Sequence, residues 1–217
     1  MTYKGVFRAH KAAVLFLLLT GLPLSAEPLR VVAFGDSLTY GYGLPVEDGF
    51  VPQLQAWLAD HGSDAKLVNA GVSGDTTAGG RARVAWTLSD GYGAMILTLG
   101  GNDLLRGIDP ANSRANIAAI LAVAKAENVK VFLVGMRAPS NYGVQYQESF
   151  DALYPELAQE YDAVYFPDFF LGLGSGAPAE VLEFMQGDGI HPNAKGVTRI
   201  VDAMGPQVLA WIKEAAQ

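Results

Sequence analysis

The sequence has no cysteine and little histidine. None of its 217 residues is cysteine, and only three are histidine. The absence of cysteine excludes a thiol nucleophile, a disulfide framework and a zinc or iron–sulfur site with cysteine ligands. It also excludes a lipid-modified N-terminal cysteine. The chain is long enough for one α/β domain, and its 50% hydrophobic residues are enough for a full core.

Basic residues are also scarce, and three of the 15 precede an apolar stretch near the N-terminus. Lys4, Arg8 and Lys11 come before this stretch, which extends from Ala12 to Leu19, and the segment that follows ends in a small residue, Ala26. This pattern is typical of a secretory signal. The stretch is shorter than the ~18 residues of a spanning helix. We therefore expect cleavage after Ala26 rather than a retained anchor.

Cleavage would divide the chain into a signal peptide, residues 1–26, and a mature domain, residues 27–217. We expect the mature domain to be periplasmic or secreted. The mature domain then has 12 Lys and Arg, three fewer than the whole chain, against 22 Asp and Glu, a formal net charge of −10. Such an acidic protein lacks the basic surface of a nucleic-acid-binding protein. We expect no nucleic-acid partner and no stable membrane anchor, and we expect a monomer.

Apolar runs alternate with segments of helical spacing along the mature domain. The runs predict strands at 31–34, 66–70, 94–99, 129–134 and 164–166. The helical segments are 45–59, 77–89, 110–127, 149–159 and the residues after Asn193. This alternation predicts an α/β protein with a parallel sheet covered on both faces. No internal repeat or long linker divides it, so we expect one domain.

A serine follows the first predicted strand. Ser37 lies just past its carboxyl end, where open parallel sheets present their functional groups. A serine nucleophile needs a base to take its proton. His10 lies in the predicted signal peptide, and His61 lies beside Gly62, a predicted helix C-cap. His191 therefore remains as the candidate base.

The other groups that acyl transfer requires are also present. Asp188 lies three residues before His191, a spacing that lets its carboxylate bind one imidazole nitrogen while the other nitrogen faces Ser37. The backbone N–H groups of Ser37 and Gly74 and the amide of Asn102 are the available donors for an oxyanion. This chemistry requires no metal and no organic cofactor.

Each of these features has an ordinary explanation when it is considered alone. Gly74 could simply end a strand, and Asn102 could cap a helix near Leu104. Asp188 could be a turn residue and His191 a surface histidine. Their occurrence together, in this order and after successive strands, favours the catalytic interpretation.

Four sequence blocks resemble those of the SGNH (GDSL) hydrolases. The blocks are Phe34–Thr39, Gly71–Thr76, Gly100–Asp103 and Asp188–Pro192. The resemblance implies a flavodoxin-like three-layer αβα sandwich whose five-stranded parallel sheet has the order 2-1-3-4-5. It also implies a catalytic triad of Ser37, Asp188 and His191, and an oxyanion hole formed by Ser37, Gly74 and Asn102.

Two further segments, 101–107 and 139–143, are similar to one group within that superfamily. This group comprises the periplasmic multifunctional acyl-CoA thioesterase I/arylesterase/lysophospholipase enzymes. The similarity implies hydrolysis of small esters and thioesters through an acyl-enzyme. Apolar residues near the block ends are the candidates for contact with the acyl chain: Leu104, Leu105, Met136, Tyr142 and Phe184.

Three other functions remain open at this stage. The same blocks are compatible with an O-deacetylase that acts on a carbohydrate or cell-wall polymer, and also with a non-catalytic binding protein of the same fold. A metal hydrolase that uses Asp36, Asp75 and Asp103 is weakened because the chain offers it only one suitable histidine.

Overall fold

The centre of the protein is a five-stranded parallel sheet. The computed structural model describes residues 1–2, 5, 27–174 and 181–217. The predicted signal peptide therefore lies almost entirely outside the described residues. The strands are β1 (Arg30–Gly35), β2 (Lys66–Gly71), β3 (Ala94–Thr98), β4 (Lys130–Val134) and β5 (Val164–Phe166). Their order is β2-β1-β3-β4-β5, and every pair is parallel, which confirms the order expected from the resemblance.

Seven α-helices of the described residues surround this sheet. They are α1 (Ser37–Tyr40), α2 (Phe50–Asp60), α3 (Thr77–Leu88), α4 (Gly101–Leu105), α5 (Pro110–Ala126), α6 (Val144–Tyr161) and α7 (Ala194–Ala215). The helices α3, α5 and α6 pack side by side, while α2 packs against α7. All residues of β3 are buried, as expected for a strand covered on both faces. Among the described residues, no helix combines the length and hydropathy that a membrane crossing requires.

The helix predicted at 149–159 is longer than expected and begins at Val144. Its first turn is rich in polar residues, so the apolar spacing gave no signal there. Tyr146 nevertheless stacks on Phe150 and Tyr142, with ring centroids 6.1 Å and 4.9 Å away. This aromatic packing holds the first turn against the rest of the protein.

Segment 45–59 also differs from the single helix that was predicted. It consists of a short 3-10 turn, Val46–Asp48, followed by α2, which begins at Phe50. Gly49 separates the two in an extended conformation with a φ of −71° and a ψ of 163°.

The strand order places the functional loops at one edge of the sheet. From β1 the chain passes to β2 on one side, and then crosses to β3 on the other side of β1. Open α/β sheets bind ligands at such a switch point, beyond the carboxyl ends of the strands. Ser37 follows β1 and Asn102 follows β3, so the two residues flank this crevice.

Candidate active site

Ser37 is the first residue of α1, at the end of a tight strand-to-helix turn. A Cβ on Gly35 would overlap Oγ1 of Thr39 and would lie 2.5 Å from the carbonyl oxygen of Thr98, so only glycine fits there. Asp36 caps α1, because its Oδ1 accepts a hydrogen bond from the N–H of Leu38 at 3.0 Å. As the first helical residue, Ser37 has a backbone N–H without a partner inside the helix.

Ser37, His191 and Asp188 form a continuous hydrogen-bonded chain. Nε2 of His191 lies 2.9 Å from Oγ of Ser37. Nδ1 of the same ring lies 2.7 Å from Oδ2 of Asp188. In this geometry the imidazole can remove the serine proton while the carboxylate orients the ring and stabilises the imidazolium. The structure thus places the three predicted residues at catalytic distances.

The carboxylate of Asp188 is well stabilised in its ionised form. The hydrogen bond from the His191 side chain is the main reason that the pKa of Asp188 falls to about 2. The backbone N–H groups of His191 and Ile190 also donate to Oδ1, at 3.0 Å and 2.9 Å. Asp188 therefore stays ionised across the pH range in which esterases are assayed.

Two side chains hold the loop that carries Asp188 and His191. Gln186 donates from Nε2 to the carbonyl oxygens of Tyr42 at 2.8 Å and Pro192 at 3.0 Å, and its backbone N–H donates to the carbonyl of His191 at 2.7 Å. Asn193 caps α7 by accepting from the N–H of Gly196 at 3.0 Å. The loop therefore begins and ends at fixed points.

Two further oxyanion donors were predicted, at Gly74 and Asn102. Gly74 has a φ of +85°, a conformation that favours glycine. Its carbonyl accepts a hydrogen bond from Nη2 of Arg106 at 2.9 Å, which holds the peptide in place. Nδ2 of Asn102 lies 3.4 Å from Oδ2 of Asp36. The role of both groups as oxyanion donors stays a prediction.

Asp36 is itself unusual, since it is a carboxyl group that is only 1% exposed. Burial raises its pKa to about 6, although the hydrogen bonds from Leu38 and Asn102 favour the ionised form. Buried carboxyl groups with raised pKa values are concentrated at functional sites.

The three aspartates of the metal-hydrolase alternative are separately engaged. Asp36 caps α1, and Asp75 forms an ion pair with Nε of Arg83 at 2.6 Å. Asp103 accepts from the N–H and Oγ1 of Thr77 at 2.8 Å and 2.6 Å. Across residues 27–174 and 181–217, no group of three or more His, Cys, Asp or Glu side chains is arranged to hold a metal.

An apolar pocket of about 190 Å³ opens beside Ser37 and His191. Four of the five predicted acyl-contact residues line it: Leu104, Leu105, Met136 and Tyr142. Phe184 was also predicted, but it is not among the described residues that line this pocket. Its ring lies instead beneath the guanidinium of Arg199, at 4.1 Å.

The pocket lining also includes residues that were not predicted from the sequence: Arg137, Pro139, Phe170 and Ile190. Ile190 lies between Asp188 and His191, so its position in that sequence block was a signal that it lies near the site. Phe170 had no such signal, because it reaches the pocket only through the packing of the segment after β5.

The fold and the site together define a hydrolase that transfers acyl groups through a serine. The sequence profile of the GDSL-like Lipase/Acylhydrolase family matches residues 33–199, and the chain belongs to this family. Membership confirms the resemblance drawn from the four sequence blocks, and it makes the protein an enzyme that hydrolyses ester bonds.

Similar proteins are named as enzymes of the same kind. The chain is 40% identical to Esterase TesA of Pseudomonas aeruginosa over 88% of its own length and 92% of that protein. It is 37% identical to Thioesterase 1/protease 1/lysophospholipase L1 of Escherichia coli K12 over 96% of both chains. A crystal structure of TesA superposes with a TM-score of 0.75 at 38% identity, covering 82% of this chain and 97% of that one.

Proposed function

We propose that this protein is an exported serine esterase and thioesterase that hydrolyses aryl esters, acyl thioesters and lysophospholipids through an acyl-enzyme. The observation that carries the proposal is the 2.9 Å contact between Nε2 of His191 and Oγ of Ser37. A serine hydroxyl in contact with an oriented base is the defining feature of this kind of nucleophile.

In the first half-reaction Ser37 Oγ attacks the substrate carbonyl carbon, and His191 Nε2 takes the serine proton. The carbonyl oxygen becomes an oxyanion, which the N–H groups of Ser37, Gly74 and Asn102 stabilise. His191 then gives the proton to the departing alkoxide or thiolate. The acyl group is left as an ester of Ser37.

In the second half-reaction water attacks the acyl-enzyme, and His191 takes one of its protons. Collapse of the second oxyanion breaks the bond to Ser37, whose oxygen regains the proton from His191. The carboxylic acid is released. All proton transfers thus pass through one imidazole, which Asp188 keeps in the required orientation.

The pocket supports acyl chains as the bound portion of the substrate, because aliphatic and aromatic side chains dominate its lining. Export to the periplasm or the medium rests on the pattern of residues 1–26. An exported enzyme does not meet cytosolic acyl-CoA, so lysophospholipids and other envelope esters are the substrates that we propose for the cell. We also propose a monomer with no nucleic-acid partner and no membrane anchor.

A rate panel on the mature protein tests the chemistry. It compares short and long p-nitrophenyl esters, palmitoyl-CoA, a lysophospholipid and an acetylated sugar, with Ser37→Ala as the blank. We expect turnover of esters and thioesters that the Ser37→Ala protein lacks. Activity confined to the acetylated sugar would indicate an O-deacetylase instead.

A fluorophosphonate probe separates an enzyme from a binding protein of the same fold. We expect the probe to label the wild-type protein and to leave Ser37→Ala unlabelled. A wild-type protein that resists the probe would be a binding protein. Export is tested separately, by sequencing the N-terminus of the protein recovered from the periplasm: a mature chain beginning at Glu27 is the expected result.

A further inference from the structure

Tyr142 stands between two cavities. One is the pocket of about 190 Å³ beside Ser37, referred to below as the acyl pocket. The other is a wider groove of about 860 Å³ between the start of α5 and the first half of α6, referred to as the α5–α6 groove. Among the described residues, Tyr142 alone lines both cavities. Its side chain contacts Leu104, which lines the acyl pocket, and Gly107, which lines the groove, and so lies between the two cavities.

The ring of Tyr142 is held in this position from three directions. Its hydroxyl donates a hydrogen bond to the carbonyl of Leu104, at the end of α4, with an oxygen–oxygen distance of 2.5 Å. Its ring stacks on that of Tyr146, with centroids 4.9 Å apart and an angle of 24° between the planes. A Cβ on Gly107 would lie 3.7 Å from Cε1 of the ring, so this glycine packs closely against its edge.

The size of the acyl pocket limits what it can enclose. Pockets that hold a whole drug-sized ligand measure roughly 300–1,000 Å³, whereas the acyl pocket measures about 190 Å³. It is therefore suited to a short acyl chain. A longer chain that enters on the same path meets the ring of Tyr142. Among the cavities of the described residues, the large one that Tyr142 also lines is the α5–α6 groove.

The groove has apolar surface on which the end of an acyl chain could lie. Pro110, Ala111, Val144 and Tyr146 contribute to its lining. Polar side chains, including those of Arg114 and Glu156, line it as well. The groove therefore offers both apolar and polar surface.

We propose that Tyr142 is a specificity-determining residue that closes the acyl pocket and sets the length of acyl chain that the enzyme hydrolyses best. Short chains fit in front of the ring. Long chains reach the α5–α6 groove only when the ring turns away and its hydrogen bond to Leu104 breaks. This inference rests on the proposed esterase function and specifies its acyl substrate: short esters fit the closed pocket, and the long acyl chain of a lysophospholipid requires the ring to turn away.

The test is the ratio of kcat/KM for p-nitrophenyl laurate to that for p-nitrophenyl butyrate. We expect Tyr142→Ala to raise this ratio about tenfold or more, since even one methylene group gained or lost in an apolar pocket changes kcat/KM by about tenfold or more. Tyr142→Phe keeps the ring but lacks the hydroxyl, so it should raise the ratio by a smaller factor. Tyr142→Phe removes only the hydroxyl oxygen, so this variant tests the inference even if the alanine variant does not fold.

Tyr165→Phe is the matched control. The hydroxyl of Tyr165 also donates to a main-chain carbonyl, that of Pro167 at 3.3 Å, but Tyr165 lines neither cavity. We expect the laurate-to-butyrate ratio of this variant to equal that of the wild type. A rise in the control as large as that in Tyr142→Phe would overturn the inference.

Other outcomes are equally decisive. An unchanged ratio in both Tyr142 variants, with butyrate hydrolysis retained, would show that the ring does not limit chain length. An equal loss on both esters would show that Tyr142 only supports α4, and would also overturn the inference. A wild-type protein that hydrolyses neither ester and resists the fluorophosphonate probe would overturn the proposed function itself, a result distinct from the first two.

Discussion

Asp36 and Asn102, 66 residues apart in the sequence, are joined by a hydrogen bond from Nδ2 to Oδ2 of 3.4 Å. One N–H of the Asn102 amide is thereby directed to the carboxylate, which leaves the second for the oxyanion contact that the sequence predicts. The other oxygen of Asp36 accepts from the N–H of Leu38 and so caps the helix that begins with Ser37. A single buried carboxylate thus orients both the nucleophile and one of its predicted oxyanion donors.

Replacing Asp36 with asparagine should impair catalysis without disturbing substrate binding. A carboxylate has two acceptor oxygens, and an amide has one. The amide of the Asp36→Asn variant can therefore satisfy Leu38 or Asn102, but not both. We expect kcat to fall by about tenfold, less than the ~10²–10³ that removal of a whole oxyanion donor costs, with KM little changed.

A double-mutant cycle with Asn102→Ala shows whether Asp36 acts through Asn102. In the Asn102→Ala background we expect Asp36→Asn to have almost no further effect on kcat. Independent, multiplicative losses would mean that the two residues do not act together.

The same Asp36→Asn variant should be more stable than the wild type at neutral pH. Burial raises the pKa of Asp36 from 3.8 to about 6. Between about pH 4 and about pH 6, the native protein therefore holds a proton on Asp36 that the unfolded chain has lost. The associated stability is present below about pH 4 and is lost as the pH rises to about 6. At about 1.4 kcal/mol per pKa unit, the loss amounts to roughly 3 kcal/mol.

Asparagine avoids this loss but gives up one hydrogen bond, worth about 1 kcal/mol. We therefore expect Asp36→Asn to be more stable than the wild type by about 2 kcal/mol at pH 7 and less stable by about 1 kcal/mol at pH 4, because only the charge cost depends on pH. Urea unfolding at several pH values measures the difference. A difference that stays the same from pH 4 to pH 7 would contradict the proposed cost of the buried charge.

Gly74→Ala should reduce activity through the backbone alone. A Cβ there would meet nothing closer than Nη2 of Arg106 at 4.0 Å, so space is available, but a φ of +85° is strained for alanine. We expect a loss of about 1 kcal/mol in stability and of about tenfold or more in kcat, because the N–H moves away from the oxyanion.

Gly91→Ala is the matched control for this backbone effect. Gly91 has a φ of +76°, nothing lies within 4 Å of a Cβ built there, and it is remote from the pocket. We expect a similar loss of stability with unchanged kcat. Equal losses of kcat in the two variants would remove Gly74 from the oxyanion hole.

Arg83 should be important for stability and for the shape of the Gly74 turn. Its guanidinium binds Asp75 and also donates to the carbonyl oxygens of Gly35 at 2.9 Å and Ala70 at 2.9 Å, which joins the ends of β1 and β2. Lysine cannot reproduce this planar set of donors. We expect Arg83→Lys to lower the free energy of unfolding by about 2 kcal/mol, about 1 kcal/mol for each of the two carbonyl hydrogen bonds, and to lower kcat.

Arg114→Ala is the corresponding control at the surface. Arg114 pairs with Glu156 and Glu160, and all three side chains are at least 38% exposed. Exposed pairs contribute about 0–1 kcal/mol, so urea unfolding should show a small change. A loss as large as that for Arg83→Lys would argue against the special role of the Arg83 contacts.

Much of the fold could be predicted because the signals are local. Every strand was located from its apolar run, and the alternation with helices indicated a parallel sheet. The short helices α1 and α4 were missed, since four or five residues show no periodicity. The first turn of α6 was missed because Tyr146 is held there by its aromatic neighbours rather than by an apolar stripe.

The sequence by itself determined the alternation of strands and helices and the choice of Ser37, Asp188 and His191, because the spacing of residue types along the chain carries this information. Only the tertiary structure decided that Asp36 is buried against Asn102, that Phe184 lies outside the acyl pocket and that Tyr142 lines both that pocket and the α5–α6 groove. These relations join segments that are far apart in the chain, and they depend on how helices and loops pack around the sheet. Local spacing does not contain that information.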